Sequence, residues 1–330
     1  MNGKSAIVPV PPPPAAGWQE ELRGALRRAH ELCAAVGVDP ALGADSDFPV
    51  LAPWPLLRRI RPGDPADPIL RQLLSSPEES LEVPGYGPDP LAEAAASPAP
   101  ALIHKYHGRA LLIATGACAL HCRYCFRREF PYGAHARGRL QQALQALREA
   151  PDIGEIILSG GDPLSLDDTR LAALLTELEA IPHLHTLRLH TRFPIAIPQR
   201  VTPALLARLR ASRLQVVSVV HVNHAQELDA HTATALRGLA TLGPLLNQAV
   251  LLAGINDSVE ALEALSRALF AQGVLPYYLH QLDRVRGAAH FAVDDARARA
   301  LCAQLQARLP GYLLPRLARE EPGRAHKTLL

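Results

Sequence analysis

The sequence is short of three things: net charge, cysteines, and apolar runs long enough to span a membrane. Its 34 lysines and arginines against 32 aspartates and glutamates leave a formal charge of +2. That balance removes most of the electrostatic case for a nucleic-acid or membrane-surface protein. The longest apolar runs, such as residues 110–114, fall far short of the roughly 20 residues a spanning helix needs. The run Pro11-Pro12-Pro13-Pro14 stands where the apolar centre of a secretory leader would be, so the cytoplasm is the expected compartment. Five cysteines, an odd number, do not make a disulfide framework. No Gly-x-Gly-x-x-Gly follows the first strand-like run, so nothing points to a dinucleotide-binding fold. What remains is a globular composition, 48% apolar and 20% charged over 330 residues, enough for one large domain with an extension.

Residues 1–17 are rich in proline and alanine and read as a loose arm. Leu22, Leu26, Ala29, Cys33 and Val36 recur at helical spacing, and Gly37 supplies a stop, which predicts a helix over 18–36. Residues 48–100 carry many prolines and one short helical piece at 69–74, an irregular wrapping segment and not a second catalytic domain. A different pattern starts near Leu102. Strand-like runs at 110–115, 155–158, 186–190, 215–220, 248–252 and 274–279 alternate with amphipathic stretches at 140–150, 166–180, 203–211, 225–242 and 258–272, and 293–309 follows the last. Six β-α units in succession predict an α/β fold with a parallel sheet, curled into a partial barrel. The expected organisation is an arm and helical wrapping extension over 1–100, the partial barrel over 101–292, and a C-terminal helix and tail over 293–330.

Polar residues gather just past the predicted strands. Cys118 to Cys125 come first, then Ser159-Gly160-Gly161-Asp162, His190 with Arg192, His221 with Asn223 and His224, and Asp283. Gln248 opens its strand and fits this pattern less well. The carboxyl ends of the strands carry the chemistry of β/α barrels, so one face is expected to hold an active site. Its centre is the C-x3-C-x2-C string Cys118-Ala119-Leu120-His121-Cys122-Arg123-Tyr124-Cys125. Three thiolates on so short a loop can hold three corners of a cubane iron–sulfur cluster and leave the fourth iron open to a small molecule. A closed zinc site would need a fourth ligand, for which His121 or His135 is available. Cys33 and Cys302 stand alone in helix-like surroundings and are expected to be buried small hydrophobes.

The cysteine spacing, with Arg123-Tyr124 between the last two cysteines and Phe126 after them, resembles the radical S-adenosylmethionine (SAM) superfamily. Gly160-Gly161-Asp162, a common turn by itself, is similar to that superfamily's SAM-amine segment. Further strings resemble the lysine 2,3-aminomutase family. They are His104-Lys105-Tyr106-His107-Gly108-Arg109, His190-Thr191-Arg192-Phe193-Pro194, His221-Val222-Asn223-His224, Tyr277-Tyr278-Leu279-His280-Gln281-Leu282-Asp283 and Pro322-Gly323-Arg324-Ala325-His326-Lys327-Thr328. The likeness spans residues 100–330 and is nearest to the short members that make (R)-β-lysine for modification of translation elongation factor P. The chain's end soon after Lys327 also resembles that branch.

The resemblance implies a partial (β/α)6 barrel of the radical SAM type, a [4Fe-4S] cluster on Cys118, Cys122 and Cys125, SAM, and pyridoxal 5′-phosphate (PLP) held by Lys327. Arg109 falls at the PLP-phosphate position. Ser159, Gly160, Gly161 and Asp162 are implied for the SAM amine, and His221 and Gln248 for its ribose. Arg127 is implied for the substrate carboxylate, and Asp283 with Glu320 for the distal ammonium of lysine, where longer members carry Asp in place of Glu320. His280 stands where those members carry a tyrosine against the PLP ring. The implied reaction moves the amino group of L-lysine from C2 to C3 after a 5′-deoxyadenosyl radical takes hydrogen from C3. Implied partners are a flavodoxin- or ferredoxin-type electron donor and the ligase that modifies elongation factor P. The alternatives are an aminomutase of this type acting on glutamate or ornithine, a radical SAM enzyme without PLP, and a cluster- or zinc-binding structural protein.

Overall fold

The computed structural model describes residues 17–132 and 138–330. Most of the predicted arm and His135, the possible zinc ligand, lie outside the described residues. Among those described, one nine-stranded sheet runs in chain order. Its strands are β1 (Leu102–Tyr106), β2 (Arg109–Thr115), β3 (Glu155–Gly160), β4 (Thr186–Thr191), β5 (Gln215–His221), β6 (Leu245–Val250), β7 (Leu275–His280), β8 (Arg316–Arg319) and β9 (Thr328–Leu329). β2 to β8 are mutually parallel, and β1 and β9 add an antiparallel strand at each end. The two end strands do not pair with each other, so the barrel stays open. The six predicted β-α units are β2 to β7 with their helices. β1, β8 and β9 were not expected from the sequence, being short pieces that owe their extended form to the edges they pair with.

The strand period of two sorts side chains between the layers. In β4, Leu187 and Leu189 are buried against the helix Asp168–Glu179, whose Leu171, Leu174, Leu175 and Leu178 face inward. Arg188 and His190 alternate with them and line the barrel interior. Side-chain caps start the helices Asp168–Glu179, Pro203–Arg210, Ala230–Ala240, Val259–Phe270 and Asp295–Gln306, from Asp167, Thr202, Asp229, Ser258 and Asp294. Each cap satisfies a first-turn N–H that a helix cannot satisfy itself. The fifth predicted strand begins three residues earlier than its apolar run, at Leu245, because Asn247 and Gln248 are polar members of a ladder and not its flank.

The N-terminal segment departs from its expected single helix. Two helices, Trp18–Arg23 and Ala29–Val36, are separated at Gly24, and Leu26 instead exchanges backbone hydrogen bonds with Ala52 at 2.9 Å in each direction. A second pairing partner offsets the loss of helical bonds, and Gly24 closes the first helix at low cost. Cys33 is buried as expected, whereas Cys302 is only half-buried beside the C-terminal core cluster.

This segment grips the cysteine loop. His121 donates its backbone N–H to Leu51 O at 3.0 Å, and Arg123 donates its own to Gln72 O at 3.0 Å. The Arg123 side chain is fully buried, donating to Glu79 through Nε at 2.7 Å and Nη2 at 2.5 Å and to Phe48 O at 2.9 Å. Arg128 donates to the same Glu79 carboxylate at 2.5 Å. Removing one partner of a buried ion pair strands the other charge, which costs about 3–5 kcal/mol. Glu79→Ala is therefore expected to lower the free energy of unfolding by about that amount. Chemical denaturation of the cluster-free protein checks it, and a loss under about 1 kcal/mol, the surface-pair range, would contradict this account.

Candidate active site

One cavity of about 990 Å³ is lined by all three loop cysteines, which follow β2, and by Asp283, Glu320 and Lys327, which lie past β7 and between β8 and β9. It also takes in Arg109, Arg127, Ser159, Gly160, Gly161, Asp162, His221 and Gln248, so every residue given a role by the resemblance lines one space, whereas Asn223 and His224 do not line it. Arg109 opens β2, at the end of that strand away from the cysteine loop.

The cysteine loop follows β2. Gly161 donates its N–H to Thr115 O at 2.7 Å, and Asp162 donates its own to Ala117 O at 2.8 Å, so the end of β3 lies flat on this loop. Nothing larger than glycine fits there. A Cβ at Gly161 would stand 2.2 Å from Ala117 O, and one at Gly160, whose φ is +116, would stand 2.5 Å from Thr115 O. The Asp162 carboxylate accepts from the Leu164, Arg192 and Phe193 N–H groups at 3.0, 2.7 and 3.1 Å and from Thr191 Oγ1 at 2.8 Å. It ties the ends of β3 and β4 together beside the two glycines. Burial, reinforced by the neighbouring thiols, pushes Cys118 well above the ordinary thiol range and Cys125 up to about 12. Mutually repelling buried thiols need bound cationic metal to ionise together.

Among the described residues no three His, Cys, Asp or Glu side chains converge on a single metal ion. His121, the other candidate for a fourth zinc ligand, makes its 2.8 Å Nδ1 contact with Pro49 O and stacks on Phe48. A cubane cluster takes each thiolate to a different iron, so a triplet spread over one cavity wall fits it.

Beneath the loop lies a buried polar network. Arg192 donates to Cys122 Sγ at 2.9 Å, Tyr124 Oη at 2.5 Å, Gln72 Oε1 at 2.7 Å and Glu227 Oε2 at 2.8 Å. Tyr124 Oη also lies 3.0 Å from His221 Nε2 and accepts from Asn223 at 2.7 Å. Gln248 is the ladder partner of His221. Gln72 was not singled out in the sequence, and Tyr124 was named only as part of the cysteine string, with no role. Their contacts join segments about 50 to 150 residues apart, and no local pattern carries that information.

Between β8 and β9 Lys327 Nζ donates to Glu320 Oε2 and lies 5.9 Å above the Tyr278 ring. Lys105 donates to Glu320 Oε1 at 2.8 Å. Burial pushes the Glu320 carboxyl up, but the two ammonium groups overcome this and hold it down to about 2. Asp283 has no such direct partner, and burial together with the Glu320 charge pushes it up to about 7. Burial, with Lys327 nearby, lowers His280 to about 3, so its imidazole is neutral. A bulge at Tyr277, the residue that β6 leaves unpaired, brings Tyr277 and Tyr278 both to the cavity wall. Strand alternation from His280 would have found Tyr278, and nothing local signals the bulge. A lysine amine held inside a cavity that arginines also line suits a phosphate-bearing aldehyde. His190, which the sequence placed among the strand-end polar residues without a role, is half-buried with its Nε2 buried and unpartnered, and desolvation keeps it neutral.

Gly161→Ala is expected to displace the cysteine loop. Reconstituted protein should then carry less than half the wild-type iron and sulfide, while PLP uptake at Lys327 changes little. Full iron content in a folded variant would contradict the packing argument.

The comparisons agree with this geometry. A model of the radical SAM superfamily matches residues 112–230. The L-lysine 2,3-aminomutase of Escherichia coli strain K12 is 44% identical, the match covering 98% of this chain and 97% of that one. The L-lysine 2,3-aminomutase of Haemophilus influenzae is 44% identical over 88% of this chain and 87% of its own. That of Buchnera aphidicola is 38% identical over 95% of each. With the cysteine loop, the Gly-Gly turn and Lys327 facing one cavity, this chain belongs to the lysine 2,3-aminomutase family, radical SAM isomerases that use a [4Fe-4S] cluster, SAM and PLP.

Proposed function

We propose that this chain converts L-α-lysine to β-lysine, with the R hand, and that the product serves modification of elongation factor P in the cytoplasm. The observation that carries the reading is that the cysteine triplet, Lys327, Glu320 and Asp283 line one cavity. When bound, the cluster and SAM supply a carbon radical, and PLP supplies the carbonyl carbon that carries the migrating nitrogen. The chain's own residues place these groups. Cys118, Cys122 and Cys125 hold three irons, and the electron comes from a flavodoxin- or ferredoxin-type donor. Ser159, Gly160 and Gly161 offer backbone and hydroxyl groups to the SAM amine, with Asp162 fixing their turn, and His221 and Gln248 face its ribose. Lys327 holds PLP, and Arg109 faces its phosphate. His280, neutral and in the same cavity, would face its ring without competing for a proton.

Arg127 takes the α-carboxylate, and Asp283 and Glu320 take the distal ammonium, an assignment that disfavours glutamate as substrate. In this structure Glu320 already binds two ammonium groups, those of Lys105 and Lys327. When Lys327 engages PLP, its place on Glu320 becomes free for a substrate ammonium. The site thus contains its own mimic of the ligand. Shared positioning of radical carbon and substrate C3, away from water, is what the protein contributes to the rate.

Helices give no route into a bilayer: among the described residues none is long and apolar enough to cross one.

The pH dependence tests the ammonium site. Asp283 is protonated below about 7 in the substrate-free protein and ionised above it. An ammonium binds the ionised form, so kcat/KM for lysine should rise with pH through about 7 or slightly higher. Asp283→Asn should lose this limb and lower kcat/KM roughly 100-fold or more, the cost of an incompletely paired buried charge. A variant that keeps the limb, or keeps activity within about threefold, would remove Asp283 from the substrate site.

A further inference from the structure

Among the cavity's carboxylates Glu93 has no task in the reading above. It belongs to the N-terminal segment and opens the short turn Glu93–Ala96. Its side chain is buried, at 3% exposure for the residue. Oε2 accepts from Arg127 Nε at 2.7 Å, and Oε1 accepts from Arg127 Nη2 at 2.8 Å and from Lys105 Nζ at 3.4 Å. The backbone there is strained and held. Ala92 sits at φ +50, which L side chains rarely adopt, and the Asp89 carboxylate accepts from Glu93 N at 3.0 Å and Ala94 N at 3.4 Å.

The consequence lies in which edge of the guanidinium stays available. A guanidinium has five N–H donors in a fixed plane. Glu93 takes the Nε/Nη2 edge of Arg127. Nη1 donates to Ser159 Oγ at 3.2 Å and weakly to Gly160 O at 3.5 Å. The Phe126 and Phe130 rings lie 4.7 and 5.9 Å from Arg127 Cζ. What is left is the Nη1/Nη2 end, where one Nη2 donor is uncommitted and the long bond to Gly160 O is the easiest to exchange. A carboxylate can reach Arg127 only there.

We propose that Glu93 is a positioning residue for the isomerase reaction: by holding the side edge of Arg127 it turns the guanidinium end-on toward the α-carboxylate of the substrate. This rests on the lysine reading and gives the N-terminal segment a direct part in substrate recognition. It also explains why a carboxylate is tolerated beside a carboxylate-binding arginine. Glu93 shares its charge between Arg127 and Lys105, so the pair does not neutralise the guanidinium fully.

The test uses the PLP-loaded protein and two ligands that differ only in the carboxylate, L-lysine and 1,5-diaminopentane. Binding is read from the change in the visible PLP absorbance, without turnover. The wild type should respond to both, and more tightly to lysine. Glu93→Gln should weaken lysine roughly 10–100-fold, the range for a lost charged hydrogen bond, and diaminopentane less than threefold. Glu93→Asp, which keeps the charge, should fall between and covers the case in which the glutamine variant does not fold. In turnover the Glu93→Gln defect should appear in KM with kcat changed less. Lysine and diaminopentane weakened equally, or lysine unchanged, would overturn the role of Glu93. A wild type whose PLP band does not respond to lysine would instead overturn the lysine reading itself.

Discussion

The site depends on arginines that the N-terminal segment holds by buried carboxylates and amides. Of the six residues after Cys122, Arg123 and Arg128 find their partner in Glu79, Tyr124 in Gln72 and Arg127 in Glu93. A loop that must carry three cysteines has little apolar surface with which to hold itself. Its conformation is fixed from outside, by charge-assisted hydrogen bonds that are strong because they are buried and fully paired. On the other side the glycines at 160 and 161 let β3 approach within backbone contact of the same loop. Ion pairs and a close-packed turn together define where the cluster sits.

Inside the barrel the electrostatics follow from the same economy of partners. The histidines at 190, 221 and 280 are neutral because burial outweighs any anion near them. Glu320 is strongly ionised because two lysines address it, and Asp283 is not because they do not reach it directly. Two carboxyl groups in one cavity thus have opposite protonation tendencies at neutral pH. A cationic substrate end would satisfy both. Along the wall the charges alternate, Arg127, Glu93, Lys105, Glu320, Lys327, each in contact with the next. Such a chain keeps a cavity with many ions near neutrality, and it links Arg127 to Lys327 through successive contacts.

Much of this was legible in the sequence, for identifiable reasons. The six parallel strands showed because each is a short aliphatic run between amphipathic helices of ordinary length. The cysteine loop, Gly160-Gly161-Asp162 and the tail with Lys327 showed because each is a contiguous string whose residue types state their chemistry. Glu79, Glu93 and Gln72 did not show, since a lone polar residue in an irregular segment carries no period and its partner lies far along the chain, and Lys105, though part of a quoted string, had no role there. The helix expected over 18–36 failed for a related reason: its apolar spacing was right, but Leu26 found a better partner in Ala52 than in its own helix. The short strands β8 and β9, which flank Glu320 and Lys327, exist only through pairing that sequence periodicity cannot register.

The central claim is that one cavity joins a radical-generating cluster to a lysine-and-PLP site. The most direct measurement is anaerobic: protein reconstituted with iron and sulfide is given PLP, SAM, dithionite and L-lysine, and the products are resolved by chiral chromatography. This account predicts (R)-β-lysine, with SAM regenerated and not consumed. Cleavage of SAM to 5′-deoxyadenosine without β-lysine, or no cleavage at all by an intact reduced cluster, would contradict it.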